Sequence, residues 1–335
     1  MKIITTLPPY APYIEAVARH DAISGIRLNT VMPIKEPIKE LLKRLKELVG
    51  KKKLWIDLKC RQIRVSYGNF FNPPKVPKKY VIDGVTHILD PDDPRTHGML
   101  KTPPWATIKI DHKIKLDLSK GPIQCFFQNG QTSAFIAEVI NGDELIMLDG
   151  PQKIVGGGES INILDPSLEV EGYFTDLDLR YIEAAKNAGI HNYMLSFVEQ
   201  DSDIDQLLNL DPDAKIVAKI ESKKGLEWLK NYSQYQSRVR LMAARGDLYI
   251  QLGRPDNIIE ALATIQRHDS TAIAASRILD SLRHSFPPNC SDITDVMCLL
   301  MMGYQTLMIG DDICFNHDLL ELAIQTLCAI GRHYH

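Results

Sequence analysis

The feature that most constrains this chain is a repeated unit: a short apolar strand, a polar strand end, then a helix. It is clearest between residues 215 and 247. KIVAKIES opens that stretch with an apolar run that ends on Lys219 and Glu221. LMAARGDL, a second apolar run, leads into Arg245, Gly246 and Asp247. Successive strand residues point to opposite sides, so Lys219 and Glu221 share one face. Two core strands with ordinary charged ends would also account for one such pair. The pattern recurs strand after strand, however, and that points to a site built from strand ends. Glu221 and Asp247 together offer oxygen ligands to one hard divalent cation. Gly246 lets the backbone turn towards an anion, and the amides that follow can donate to it.

Taken in order, apolar runs at 2–7, 25–29 and 53–59 alternate with helical periods at 11–20 and 35–49. This is βαβαβ, the sign of a parallel sheet. The rhythm then stops. From about 66 to about 164 no helical period appears, Pro and Gly are dense, and short β-like runs alternate with turns: KYVIDG, ATIKIDHKIKLDL, CFFQNG, SAFIAEVINGDELIML and QKIVGGGESINI. Asn-Gly and Gly-Asp pairs mark hairpins. The rhythm returns with helices expected at 175–188, 201–209, 223–233, 255–267, 291–302 and 317–330. Between them lie strands expected at 192–198, 215–221, 238–246, 271–279 and 305–311. About eight strands follow this rhythm, the number that closes a (β/α)8 TIM-type barrel. An open doubly wound sheet is the alternative, and the lack of G-x-G-x-x-G after the first strand argues against it. The expected domains are a barrel at 1–65 and 165–335 and an all-β lid domain inserted at 66–164, after the third strand.

Composition sets outer bounds. The 335 residues suit a large α/β domain with an insertion, and 44% apolar with 24% charged residues is ordinary for a soluble globular chain. A net charge of −3 and the lack of a long basic run argue against nucleic acid as a partner. The Lys-rich segment 35–53 reads as a helix with a solvated face rather than a membrane or nucleic-acid patch. No apolar run is long enough to span a bilayer. The six cysteines form no C-x-x-C pair and follow no signal-like segment. They read as free thiols in a reducing compartment, so a cytoplasmic location is expected.

The polar residues gather at strand ends. Arg27 and Asn29 end the second strand, and Asp57 and Lys59 the third. Ser276 and Arg277 end the seventh, and Asp311 and Asp312 the eighth. In a barrel these ends converge on one mouth. Two carboxylates, several cations and a hydroxyl suit a small anionic substrate bound through a metal. A metal also stabilises an enolate, and Lys219 beside it suits a transferring phosphoryl group.

These residues resemble the pyruvate kinase family. AKIESKKG (218–225) looks like the family's S-K-I-E-N-x-x-G, and MAARGDL (242–248) like its M-V-A-R-G-D-L. GIRLN (25–29) resembles A-R-L-N, IDLKCRQIR (56–64) resembles L-D-T-K-G-P-E-I-R, and AIAASRILDSL (272–282) resembles V-I-x-A-T-Q-M-L-E-S-M. SDITDVMCLLMMGYQTLMIGDD (291–312) follows S-D-V-A-N-A-V-x-D-G-x-D-x-x-M-L-S-G-E. The β insertion matches the family's lid domain in place and size. The resemblance covers about residues 1–330 and stops where the family's C-terminal domain would begin.

The resemblance implies phosphoryl transfer between phosphoenolpyruvate and ADP, giving pyruvate and ATP. It implies Glu221 and Asp247 as ligands of Mg2+ or Mn2+, and Lys219 as the catalytic cation. Arg27 reaches the phosphoryl group, with Arg64 a second cation. Gly246, Asp247 and Ser276 take the substrate carboxylate, next to Arg245. Asn29 and Asp57 fall on monovalent-cation ligands, and Lys59, Arg61 and Gln62 stand near the site. The departures are local. Thr30-Val31-Met32-Pro33 stands where the family has F-S-H-G, Leu58 where it has Thr, and Cys60-Arg61-Gln62 where it has G-P-E. Gly310-Asp311-Asp312 replaces S-G-E. The metal and enolpyruvate half of the site is retained, whereas the potassium site is expected to be lost and the nucleotide contacts weakened. A metal-dependent aldolase or lyase on 2-oxo acids, and a non-catalytic relative that binds a metabolite or partner, are the alternatives. A homo-oligomer is left open.

Other features carry less. His333-Tyr334-His335 reads as a frayed tail, His87, His97 and His112 as surface histidines, and Gly156-Gly157-Gly158 as a hinge or turn. Cys60 reads as an inert thiol and 90–94 (DPDDP) as a solvated loop.

Overall fold

Eight parallel strands close into a barrel in sequence order. They are Lys2–Thr6, Ile23–Asn29, Lys53–Leu58, Asn192–Leu195, Lys215–Ile220, Val239–Ala244, Ile273–Ala275 and Thr306–Ile309, with the eighth pairing back to the first. The structure, a computed structural model, describes residues 1–69, 78–89, 105–153 and 155–334. The segment 90–94, His97 and His335 lie outside the described residues. The architecture is the expected (β/α)8 barrel.

The inside of the barrel is built by strand alternation. Ile4, Trp55, Met194, Val217, Met242, Ile273 and Met308 pack into one buried apolar cluster. Two residues further along each strand the same face continues. It is Thr6 on the first strand, Asp57 on the third and Lys219 on the fifth. An apolar plug therefore sits directly beneath a polar layer. Gly25 on the second strand makes room for the plug, because a methyl there would meet the Trp55 indole nitrogen at 2.8 Å.

The helices pack by one stripe each. Ile38–Val49 buries Leu41, Leu42, Leu45 and Val49 and leaves its lysines outside, as its sequence pattern predicts. Gly50, at φ 60, ends it. Lys46 on this helix donates to the carbonyl of Ala188 at 2.6 Å, placing a cation at the C-terminal end of helix Asp176–Asn187. Gly189 turns the chain there with φ 65.

Helix Asp176–Asn187 also fixes the point where the chain leaves the barrel. Thr175 and Asp178 form a capping box. The Asp178 carboxylate, fully buried, accepts from the Lys59 N–H at 2.9 Å and from the Cys60 N–H at 3.1 Å. The same side chain accepts from the Thr175 N–H at 2.9 Å and hydroxyl at 2.7 Å. One carboxylate thus holds both the departing and the returning ends of the barrel chain.

The chain divides into two compact units, Met1–Cys60 with Phe174–His335, and Arg61–Tyr173. Within the second unit, Val65–Asn69, Trp105–Ile110, Ile123–Phe127, Thr132–Ile140, Glu144–Leu148 and Ile161–Ile163 form a six-stranded sheet. Its core includes Ile108, Cys125, Phe127, Ala134, Ile136, Leu145 and Met147. Strands Lys78–Ile82 and Val85–Leu89 form a hairpin through Asp83 and Gly84, both at positive φ (48 and 77), as a two-residue Asp-Gly turn requires. Segments flanking the sheet belong to this unit by their hydrogen bonds: the Val65 N–H donates to the Glu159 carbonyl at 2.8 Å, and Glu169–Val170 pairs with Ile114–Lys115.

Several expectations need correction. The strand expected at 238–246 ends at Ala244, and Arg245 starts a helix that runs to Gln251. The strand expected at 271–279 stops at Ala275, because Ser276, Arg277 and Leu279 take positive φ of 65, 57 and 52. Leaving the ladder is what frees Ser276 and Arg277 for the mouth. The helix expected at 223–233 is α only over Lys223–Trp228 and continues as a 3-10 turn, Leu229–Gln234. His112 is buried, not a surface residue, with its Nδ1 3.0 Å from Asp111 Oδ1. The glycine run is a turn: Gly158, at φ 91, donates to the Val65 carbonyl at 2.7 Å. None of the six cysteines is in a disulfide, and Cys60 is buried. Among the described residues no helix is long and apolar enough to cross a membrane.

Replacing Asp178 by Ala leaves two buried backbone N–H groups without their acceptor and uncaps the helix. The expected loss is about 3 kcal/mol or more, read as a lower urea midpoint.

Candidate active site

The polar layer lies at the C-terminal ends of the barrel strands. The Arg27 guanidinium is its centre. Its Nε donates to Asp57 Oδ2 at 2.6 Å, and Nη2 lies 2.5 Å from the same oxygen. Its Nη1 donates to Asp311 Oδ1 at 2.5 Å and to the Thr6 hydroxyl at 2.9 Å. Asn29 donates to the other Asp311 oxygen at 2.9 Å. The Lys219 ammonium stands 3.0 Å from Asp57 Oδ1 and 3.8 Å from Glu221 Oε1. Strands one, two, three, five and eight therefore meet in one connected network.

Burial and charge act against each other here. Burial alone would lower the pKa of Arg27, but the Asp311 and Asp57 carboxylates outweigh it and raise the pKa. Burial would likewise lower Lys219, yet Asp57 and Glu221 raise it. Burial would raise Asp57, and the cations Arg27 and Lys219 hold it below the ordinary carboxylate value. All three groups keep their charge. Glu221 behaves differently. Burial, joined by the charge of Asp247, pushes it up to about 7, against the opposing pull of Lys219.

Glu221 and Asp247 are both buried acids with oxygen donors. Glu221 Oε2 accepts from the Phe197 N–H at 2.8 Å, and Phe197 takes φ 49 to present it. A donor set of hard oxygens on two carboxylates fits Mg2+, which uses one or two protein carboxylates and completes its shell from substrate and water. By contrast, the oxygens expected for a monovalent cation are engaged by the chain itself. Asp57 is bracketed by Arg27 and Lys219, and Asn29 Oδ1 accepts from the Val31 N–H at 3.4 Å. The Thr30 hydroxyl donates to the Asp57 carbonyl at 2.8 Å.

Beside this network, Gly246 and Asp247 stand in the first turn of helix Arg245–Gln251, where N–H groups lack intrahelical acceptors. Arg245 donates to the Ser276 carbonyl through Nε at 3.2 Å and Nη2 at 2.8 Å, and its Nη1 donates to Asp295 at 2.7 Å. Arg245 thus pins the turn at Ser276, which takes a positive φ of 65. Arg277 lies over the Tyr249 ring, 4.5 Å from its centroid. Lys59 is buried one residue past the third strand.

Arg61, Gln62 and Arg64 belong to the second unit. There Arg64 donates to the Gly158 carbonyl and to Gln62 Oε1, each at 2.5 Å, and Arg61 lies 4.8 Å from the Tyr173 ring centroid. Among the described residues, His191, Asp211 and Asp213 are close enough to share an ion. They precede strands four and five, at the opposite end from the mouth, and Asp211 is already bonded to His191 and to the Tyr193 hydroxyl at 2.8 Å.

Sequence reasoning missed Thr6, Asp295 and the partnership of Asp311 with Arg27. Thr6 was detectable as a polar strand end. Asp295 lies on helix Cys290–Met301, not at a strand end.

Glu221 generates a stability prediction. The unfolded chain releases this proton near 4.5, whereas the metal-free folded state holds it to about 7. Its contribution is therefore fully present below 4.5 and lost as pH rises to about 7. Glu221→Gln removes that loss while keeping an acceptor for the Phe197 N–H. Without metal, the variant should gain on the parent by up to roughly 3 kcal/mol between pH 4.5 and 7, with no further change above, as read by denaturation at each pH.

The comparisons with known proteins agree with this geometry. The family description "Pyruvate kinase, barrel domain" matches residues 95–314, more than half of the chain. The chain is 24% identical over 326 residues to the pyruvate kinase of Borreliella burgdorferi, covering 93% of this chain and 63% of that protein. It is 28% identical over 189 residues to the pyruvate kinase of Methanocaldococcus jannaschii, covering 53% of this chain and 41% of that one. With the Encephalitozoon cuniculi pyruvate kinase it shares 24% identity over 236 residues, 68% of this chain and 51% of the relative. The chain thus spans less than two thirds of the length of these curated relatives. A closed eight-stranded barrel with charged strand ends at its mouth, matched by the family's barrel domain over most of its length, makes this chain a member of the pyruvate kinase family.

Proposed function

We propose that this chain carries out Mg2+-dependent phosphoryl transfer between phosphoenolpyruvate and ADP, without needing potassium. The observation that carries the reading is the pairing of Lys219 with Glu221 on one barrel strand, in one network with Arg27 and Asp57. Glu221 and Asp247 would hold the metal. Bound there, it would neutralise charge on the enolate and phosphoryl oxygens.

The remaining roles fall to the chain's own groups. The amides of Gly246 and Asp247 and the Ser276 hydroxyl receive the substrate carboxylate. The Lys219 ammonium, kept charged by Asp57 and Glu221, faces the transferring phosphoryl group. Arg27 offers a planar guanidinium to the phosphoryl oxygens. The bond from phosphorus to the enol oxygen breaks as one forms to the terminal oxygen of ADP. The enolate released takes a proton to become pyruvate. Lys219 and Arg27 already supply positive charge at Asp57, which is why the reading needs no monovalent ion. The protein works on small molecules, in the cytoplasm.

Calorimetric titration of phosphoenolpyruvate, with and without Mg2+, followed by ADP and an assay for pyruvate, tests this. Mg2+-dependent binding with pyruvate formed supports it. Binding without pyruvate would overturn the acceptor, and pyruvate-dependent carbon–carbon cleavage without nucleotide would favour a lyase. No binding would point to a non-catalytic relative.

Lys219→Met should lower kcat by about 1,000-fold with the fold intact. Replacing K+ by tetramethylammonium should leave the rate unchanged. Mg2+ affinity should fall about tenfold per pH unit below about 7, where a proton competes at Glu221.

A further inference from the structure

The Arg27 guanidinium has every donor nitrogen engaged within the barrel. Asp57 takes Nε and Nη2, while Thr6 and Asp311 share Nη1. Nη1 has both of its N–H donors taken, so a ligand that binds there must displace Thr6 or Asp311. The partners of Arg27 are not equally able to yield. Thr6 is fully buried and also donates to the Ile309 carbonyl at 3.3 Å. Asp57 is 3% exposed and is held in addition by Lys219. Asp311 is 31% exposed and sits at the start of a four-residue helix, Asp311–Cys314.

The shape of the Asp311 contact is informative. One oxygen takes the Arg27 donor and the other takes the Asn29 amide at 2.9 Å. Two oxygens of one anion thus bridge a guanidinium and an amide, as two oxygens of a phosphoryl group would. The charges also balance. Arg27 and Lys219 are two cations, and Asp57 and Asp311 are two carboxylates paired with them. An incoming anion meets no net attraction from this group until Asp311 withdraws.

We propose that Asp311 is an internal anion that occupies the phosphoryl-binding position of Arg27 and Asn29 and must be displaced for a phosphoryl-bearing ligand to bind. It thereby sets the affinity of the site for phosphoryl-bearing anions. The identity of that ligand rests on the function proposed above; the internal anion itself does not.

The test compares the full chain with Asp311→Asn and Asp311→Gly, using inorganic phosphate and phosphoenolpyruvate with Mg2+ as probes. Asn keeps the shape and removes the charge, and Gly removes the side chain. Both variants should bind each probe about tenfold or more tightly, with KM for phosphoenolpyruvate lowered to match. Adding Arg27→Gln to Asp311→Asn should erase the gain. Unchanged affinity in both variants overturns the proposal. So does a fall in kcat at constant KM, which would make Asp311 a positioning residue for Arg27. If the parent and both variants bind phosphoenolpyruvate equally and form pyruvate, the internal anion fails and the proposed function stands. If no form binds phosphoenolpyruvate but phosphate tightens in the variants, the internal anion stands and that function fails. No binding of either probe by any form overturns both.

Discussion

One guanidinium shared between two carboxylates holds the mouth of this barrel together. Arg27 joins Asp57 on the third strand to Asp311 beyond the eighth, and Asp57 passes the link to Lys219 on the fifth. Each of these groups is costly to bury alone. Together they keep one another charged, which is why burial does not neutralise Lys219 or Asp57. The cost is also why the network cannot lose one member quietly. Removing Asp57 would leave two cations face to face in a buried setting, and removing Arg27 would leave two acids on one side of Lys219.

That network exists because of strand alternation. Apolar residues at one level of the barrel seal it, and the next inward position on the same strands is free to be polar. Trp55 and Asp57, or Val217 and Lys219, are consecutive inward residues on single strands. The plug excludes water from below, so the charges above it face solvent only at the mouth. Gly25 belongs to the same design, since the space its missing side chain leaves is filled by Trp55. Packing and electrostatics are therefore set by one two-residue period.

This period is also what made the fold and part of the site legible in the sequence. Lys219 and Glu221 are two residues apart, so their shared face follows from local geometry. The barrel follows from the count of strand–helix units, and the inserted unit from the loss of that rhythm. The pairing of Arg27 with Asp311 was not legible, because 284 residues separate them and only barrel closure brings them together. Asp178 was half legible. Its cap with Thr175 is a local motif, but its grip on Lys59 and Cys60 spans the whole insertion. The strand ends were read too long because propensity does not register a backbone turning left-handed, as at Ser276 and Arg277. The order of strands in the six-stranded sheet was equally hidden, since it depends on long-range pairing.

The two halves of the mouth carry opposite needs. Glu221 and Asp247 form an acidic half, where burial lets Glu221 hold a proton up to about pH 7 against the pull of Lys219. Arg27 and Lys219 form a basic half, and the chain answers it with Asp57 and Asp311. A metal ion bound there would relieve the first half, whereas an anion would compete for the second. Lys219 touches both, through Glu221 at 3.8 Å and Asp57 at 3.0 Å. A metal held by Glu221 would weaken that carboxylate's hold on Lys219 and leave the ammonium more available to an anion. Charge would therefore enter this mouth most favourably in pairs, a cation with an anion, with Lys219 as the group that links the two halves.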